Sequence, residues 1–317
     1  MLTCHLAVLP ARRDDDLRRS VLRAIGANAA LLSVAAFSTL LSRTLELNGG
    51  AWSTLFADMG LALDVTHFGH VWLRRIPALV LLWLAWGWSM RKRHAPLAGW
   101  LMLLAVVTIA LTRSQTGHPA DHGDWALAVW IDWAHVLAAG AWVGSVFGMS
   151  LVVFPRLLRA GSAALEQSAQ IFQRLSTVSG IALAVLLAAG LYNAVSQLGS
   201  FAALWTTRYG VILDIKLAIV LVMILIGAHN RYIKLPRLLH VAGLPVIASP
   251  RGGVSRRQRT GASADVVHVC ARAVLLESLL GLAVIGVTAM LLHSMPPADM
   301  HVMHGADAVA PTYSATP

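Results

Sequence analysis

Residues 127–154 read LAVWIDWAHVLAAGAWVGSVFGMSLVVF. The run exceeds the roughly 20 apolar residues that carry a helix across a bilayer, and Asp132 and His135 are its only ionisable side chains. A soluble helix of that length would turn a polar face to water, and this one has none. Outward from it, apolar segments bounded by charge or by Gly and Pro recur at 21–42, 70–90, 97–113, 175–197, 210–230 and 267–292. Hydrophobic residues make up 57% of the 317-residue chain and charged residues 13%, with a mean hydropathy of +0.67. That is too apolar for a soluble domain. The expected fold is all-α, a polytopic membrane helix bundle of about seven transmembrane helices. The stretch 47–66, with Asp58 and Asp64, is only weakly apolar and fits either a short interfacial helix or a loop.

The net charge of +10 is not a nucleic-acid signature, because the basic residues sit in short clusters between apolar runs. Arg12, Arg13, Arg18, Arg19 and Arg23, then Arg91, Lys92 and Arg93, then Arg156, Arg159 and Arg174, and the segment from Arg231 to Arg259 all fall on one side of an alternating topology. The other side has few such residues, and none follows Leu292. The positive-inside rule then puts the N-terminus in the cytoplasm and the C-terminus outside. On this reading residues 1–20 are a cytoplasmic N-terminal segment and 21–293 a single transmembrane domain. A flexible cytoplasmic loop spans about 231–265, and 294–317 form an extracytoplasmic tail. The two cysteines, Cys4 and Cys270, form no CxxC or Cys/His zinc pattern, which argues against a disulfide scaffold or zinc finger.

On this topology His67, His70, His118 and His122 fall near one outer mouth, with His135 about eight residues inside its helix, roughly 12 Å deep at 1.5 Å per residue. The tail segment HSMPPADMHVMHG adds Met300, His301, Met303 and His304. Imidazole and thioether donors favour copper over magnesium or calcium, which take oxygen. An ionisable residue at depth has a ligand or a pairing reason; His135 is either a metal ligand or hydrogen-bonded to a neighbouring helix. Asp132, three residues earlier and on nearly the same face, is placed to orient that imidazole. Two readings stand for Lys216 and Glu277: an ion pair between them, the favoured one, or a carboxylate in a proton or metal path. Gly140, Gly144 and Gly148 permit close helix contact, and Trp142 between them reads as packing with a weak claim on copper.

The blocks Thr66-His67-Phe68-Gly69 with Arg75, Thr116-Gly117-His118, and Asp132-Trp133-Ala134-His135 through Trp142-Val143-Gly144 resemble the CopD/PcoD family of copper-resistance membrane proteins. Gly190-Leu191-Tyr192-Asn193, Thr207-Arg208-Tyr209-Gly210, Lys216-Leu217, Asn230-Arg231, Arg272 with Glu277, and Pro296-Pro297 follow in the family's order. The resemblance covers about residues 24 to 297. It implies a bacterial inner-membrane protein, not an enzyme, that works with a CopC-like periplasmic copper-binding partner and moves copper inward. It also implies eight spans, beginning with an extra histidine-bearing helix absent upstream of Val21. By family motif His118 and His135 are the foremost ligand candidates.

The expected mechanism is an outer vestibule of His67, His70, His118 and His135 that receives copper, with the tail raising local capture. A b-type haem or electron-transfer protein, held by paired histidines on facing helices, and a non-transporting copper sensor or docking protein remain alternatives. The topology is testable with a reporter enzyme active only outside the cytoplasm. It is expected to be active when fused after Pro317 and silent when fused within 245–258; the reverse pattern would overturn the orientation.

Overall fold

Lipid offers no partner to a backbone amide, so a chain this apolar must close its own N–H and C=O groups, and helices do so within one segment. The computed structural model describes residues 2–8, 15–92, 95–121, 123–160, 165–198, 200–244, 259–292 and 294. Among the described residues seven helical runs are long and apolar enough to cross a membrane, as the sequence predicts: Asp15–Leu47, His67–Arg91, Pro96–Ser114, Leu127–Arg159, Leu165–Leu198, Arg208–Ala242 and Val267–Leu291. The first is α1 (Asp15–Leu47), followed by the short α2 (Leu55–Val65). The second span comprises α3 (His67–Leu73) and α4 (Arg75–Arg91), and the third is α5 (Pro96–Ser114). The fourth runs through α6 (Leu127–Gly148), a π turn at Met149–Val153, and α7 (Phe154–Ala160). Next come α8 (Leu165–Leu198) and the one-turn α9 (Ala203–Thr206). The sixth span repeats the fourth's design with α10 (Arg208–His229), a π turn at Asn230–Lys234, and α11 (Leu235–Ala242), and α12 (Arg259–Leu292) closes the bundle.

The second, fourth and sixth spans run in one direction and share local chemistry. The second and sixth begin with the same cap. Thr66 and Thr207 each accept a hydrogen bond from a glycine N–H three residues on, Gly69 and Gly210, at 2.9 and 3.0 Å. Each threonine hydroxyl also donates back to the preceding short helix, to Ala62 and Ala203. The fourth and sixth spans break at the same register, where a π turn precedes Phe154-Pro155-Arg156-Leu157-Leu158 in one and Leu235-Pro236-Arg237-Leu238-Leu239 in the other. Proline has no N–H to give the turn before it, and the widened turn absorbs the lost bond.

Tryptophan N–H groups stitch neighbouring spans. Trp72, Trp83 and Trp86 donate to Ala36 O, Ser33 Oγ and Leu22 O, tying the second span to α1. Trp133 donates to Val107 O, tying α6 to α5. Such interhelical bonds in lipid are worth on the order of 0.6 kcal/mol each, so the set matters more than any one member.

Several sequence expectations change. Residues 2–8 are not a segment apart from the bundle: the Thr3 hydroxyl lies 3.5 Å from Ala141 O on α6, and Val8 is fully buried. The stretch expected as a loop from 231 is helical to Ala242, and α12 starts at Arg259; residues 245–258 lie outside the described residues. The 47–66 region, expected as either a short helix or a loop, contains the helix α2, whose Asp58 carboxyl is held below the ordinary carboxylate range by hydrogen bonds from Thr54 and Asn48. Gly140 makes no close helix contact, since a Cβ there would meet nothing within 4 Å.

A Cβ at Gly69 or Gly210 would collide with the carbonyl oxygen of Ala62 or Ala203. Gly69→Ala and Gly210→Ala are therefore each expected to cost about 1–3 kcal/mol, read as a lowered Tm of the purified protein. Gly87→Ala, which meets nothing within 4 Å, should leave the Tm near the wild-type value.

Candidate functional site

Counting from their first residues, the second, fourth and sixth spans each place a basic side chain eight positions in: Arg75, His135 and Lys216. At 1.5 Å per residue this is a common depth of about 12 Å below the end that carries His118. The three side chains have different fates.

Arg75 is buried, and Thr112 of α5 together with Thr116 just beyond that helix satisfies it. Its Nε donates to Thr112 Oγ1 at 2.9 Å, and its Nη2 donates to Thr112 O and Thr116 Oγ1, each at 3.0 Å. The neighbouring Arg113 turns the other way, toward α6, where its Nη1 donates to Asp132 Oδ2 at 2.7 Å. Ser114 Oγ donates to the same oxygen at 2.7 Å. The last turn of α5 thus spends its polar groups on one arginine from α4 and one carboxylate from α6.

That carboxylate was expected to orient His135, and it does not: its bonded partners are Arg113 and Ser114. His135 faces α8, where a Cβ on Gly190 would sit 3.5 Å from its Cε1 and 3.8 Å from its Nδ1. The ring lies close to the backbone of Leu186, and its Nδ1 is buried without a hydrogen-bond partner. Gly190 is what lets α8 pass this close. Lys216 approaches from α10, near enough to interact electrostatically with both Asp132 and His135. Trp142, two turns along α6 from His135, is buried in the core, in keeping with a packing role.

The Lys216–Glu277 ion pair expected from the sequence does not form. Glu277 accepts instead from Asn230 Nδ2, fourteen residues beyond Lys216 and about 21 Å further along the same span.

The mouth histidines are close to acids and carbonyls rather than to one another. His67 Nε2 lies 2.6 Å from Asp124 Oδ1, and Arg74 lies 3.9 Å from the same carboxylate. His70 Nε2 is 2.7 Å from Asp64 O, and His118 Nδ1 is 3.6 Å from Asp121 Oδ2. Both His67 and His118 are largely exposed, at 60% and 68% of their side-chain surface. Among the described residues no group of three or more His, Cys, Asp or Glu is placed to hold a metal ion. His122, Met300, His301, Met303 and His304 lie outside the described residues. Asp124, Arg113 and Ser114 belong to this end of the molecule and sequence reading passed over them. The one available signal was an arginine at the end of an apolar run facing a lone aspartate inside the next.

A family profile described as Copper resistance protein D matches residues 169–291. Inner membrane protein YebZ of Escherichia coli (strain K12) is 29% identical over 222 residues, 67% of this chain and 70% of that one. Copper resistance protein D of Pseudomonas syringae pv. tomato is 28% identical over 230 residues, 69% of this chain and 70% of that one. Copper transport protein CutJ of Bacillus subtilis (strain 168) is 24% identical over 220 residues, 68% of this chain but 40% of the longer relative. No solved structure matches.

Asp132→Ala leaves a guanidinium and a hydroxyl without their acceptor. Breaking a buried ion pair costs about 3–5 kcal/mol. Because Arg113 is 44% exposed, water takes up part of this, and a loss of about 1–3 kcal/mol is expected. Asp132→Asn keeps an acceptor oxygen and should lose less. An unchanged Tm in the alanine variant would show that the knot does not hold α5 to α6.

Proposed function

We propose that this chain, a multi-pass inner-membrane protein similar to the copper resistance protein D family, is a member of that family and handles copper, receiving the ion at the His118 end and passing it between helices toward the cytoplasm. The observation that carries this reading is His135, whose Nδ1 lies buried about 12 Å in with no partner. A buried imidazole nitrogen with an open lone pair is a ready ligand for a soft or borderline ion.

The surrounding charges support selection by ligand softness rather than by attraction. Asp132 is occupied by Arg113 and Ser114, so its carboxylate is not free to offer oxygen to a hard cation such as sodium or magnesium. Copper has the imidazole nitrogen, a donor that hard cations use poorly. His118 and His67, exposed at the mouth, would act as initial capture points, with His70 and His122 nearby and Met300, His301, Met303 and His304 of the tail raising local capacity. A CopC-like copper-binding protein on that side would deliver the ion. Copper is cargo here, and no catalysis is required; the relatives are named for copper resistance and transport, not for an enzyme activity.

Cells expressing the chain in copper-supplemented medium are expected to hold more copper than vector controls. His135→Ala should abolish the difference and His118→Ala should reduce it, with equal amounts of protein in the membrane. Copper content indifferent to expression, or to both substitutions, would overturn transport as the function.

A further inference from the structure

Midway along α12, two π turns face one polar stretch. Ser278 meets Ser150 of the fourth span's π turn at 2.7 Å, and Glu277 meets Asn230, the first residue of the sixth span's π turn. Glu277 and Asn230 are buried, at 6% and 5% exposure. Asn230 Nδ2 donates to Glu277 Oε1, while Asn230 Oδ1 is buried with no hydrogen-bond partner. An acceptor left bare beside a carboxyl group is a specific arrangement. A carboxylate has nothing to give that oxygen, whereas a carboxylic acid has one proton to give.

We propose that Glu277 and Asn230 form a buried acid–amide pair that holds a proton within the membrane. In this pair Asn230 Nδ2–H donates to Glu277 Oε1, and the acid's O–H on Oε2 donates to Asn230 Oδ1, so both amide atoms are satisfied and no net charge is buried. Releasing the proton to water leaves a carboxylate and one broken hydrogen bond of two. An unpaired charge in lipid and a bare acceptor both oppose that release.

The charged and polar groups around the pair fit this assignment. Lys234, on the same π turn, is near enough to interact electrostatically with Glu277 but forms no ion pair with it. His229, Lys234 and Arg272 line an open cleft between the sixth span and α12 that also takes in Leu276, next in sequence to Glu277. Arg231 is turned away to Ser176 O, and Arg156 to Val152 O and Ser20 Oγ. Ser278 donates to Val274 O, so the adjacent hydroxyl pair closes on itself. Cys270, two turns away on α12, is the nearest other titratable group on that face of the helix. The assignment does not depend on what the His135 site binds.

The test is infrared spectroscopy of the full chain in lipid nanodiscs at neutral pH, with carboxyl-¹³C glutamate. The chain has three glutamates, and Glu46 and Glu166 are exposed. A protonated carboxylic acid band that shifts with the label therefore reports Glu277. This band is expected in the wild-type protein. It should be lost in Glu277→Gln, whose amide keeps both hydrogen bonds and should leave the Tm unchanged. Labelled glutamate appearing wholly as carboxylate at neutral pH would overturn the assignment, and so would a label-sensitive acid band that persists in Glu277→Gln. If that variant fails to fold, the labelled wild-type spectrum decides alone.

Discussion

The carboxylate of Asp132 decides what the rest of its end of the bundle is free to do. A charge about 7 Å inside a span must be neutralised by protein, because lipid cannot do it. Arg113 and Ser114 from the last turn of α5 supply that neutralisation through one carboxylate oxygen. With Asp132 committed to α5, His135 one turn further along is released from the role of a hydrogen-bonded partner, and its Nδ1 stays open toward Gly190. Had Asp132 taken an imidazole N–H instead, Arg113 would be left without its carboxylate partner.

The same economy appears across the three spans that share a direction. Each carries a basic residue eight positions in, but the three are used differently. Arg75 is locked by threonine oxygens and serves the fold. His135 keeps a buried Nδ1 without a hydrogen-bond partner, and Lys216 lies near it. Deeper along the sixth span the π turn at Asn230 brings an amide against Glu277. The two polar centres, about 21 Å apart along that span, are built by one device: a helix irregularity or a glycine lets a neighbour approach closely, and a short polar side chain meets it.

Much of the fold was legible because hydropathy and helix length are tied by bilayer thickness. The seven runs, including 127–154, needed only the apolar pattern. The ends were less so, because amphipathic turns beyond the hydrocarbon, such as Leu235–Ala242, continue the helix without continuing the hydropathy signal. His135 and Asp132 were legible as ionisable residues out of place, but their partners were not. Residues three apart on one face suggest a pair, and only the packing of α5 against α6 shows that Arg113 reaches Asp132 first. Lys216 and Glu277 failed for a related reason: opposite charges on neighbouring spans invite pairing, yet depth along each helix, set by where α10 and α12 begin, keeps them apart.

The central claim is that the open imidazole of His135 takes copper. Copper-edge X-ray absorption on the purified, copper-loaded chain addresses it most directly. Imidazole scattering should be present in the wild-type protein and weakened in His135→Ala at equal copper loading. Identical spectra from the two proteins, or scattering without any imidazole signature, would contradict it.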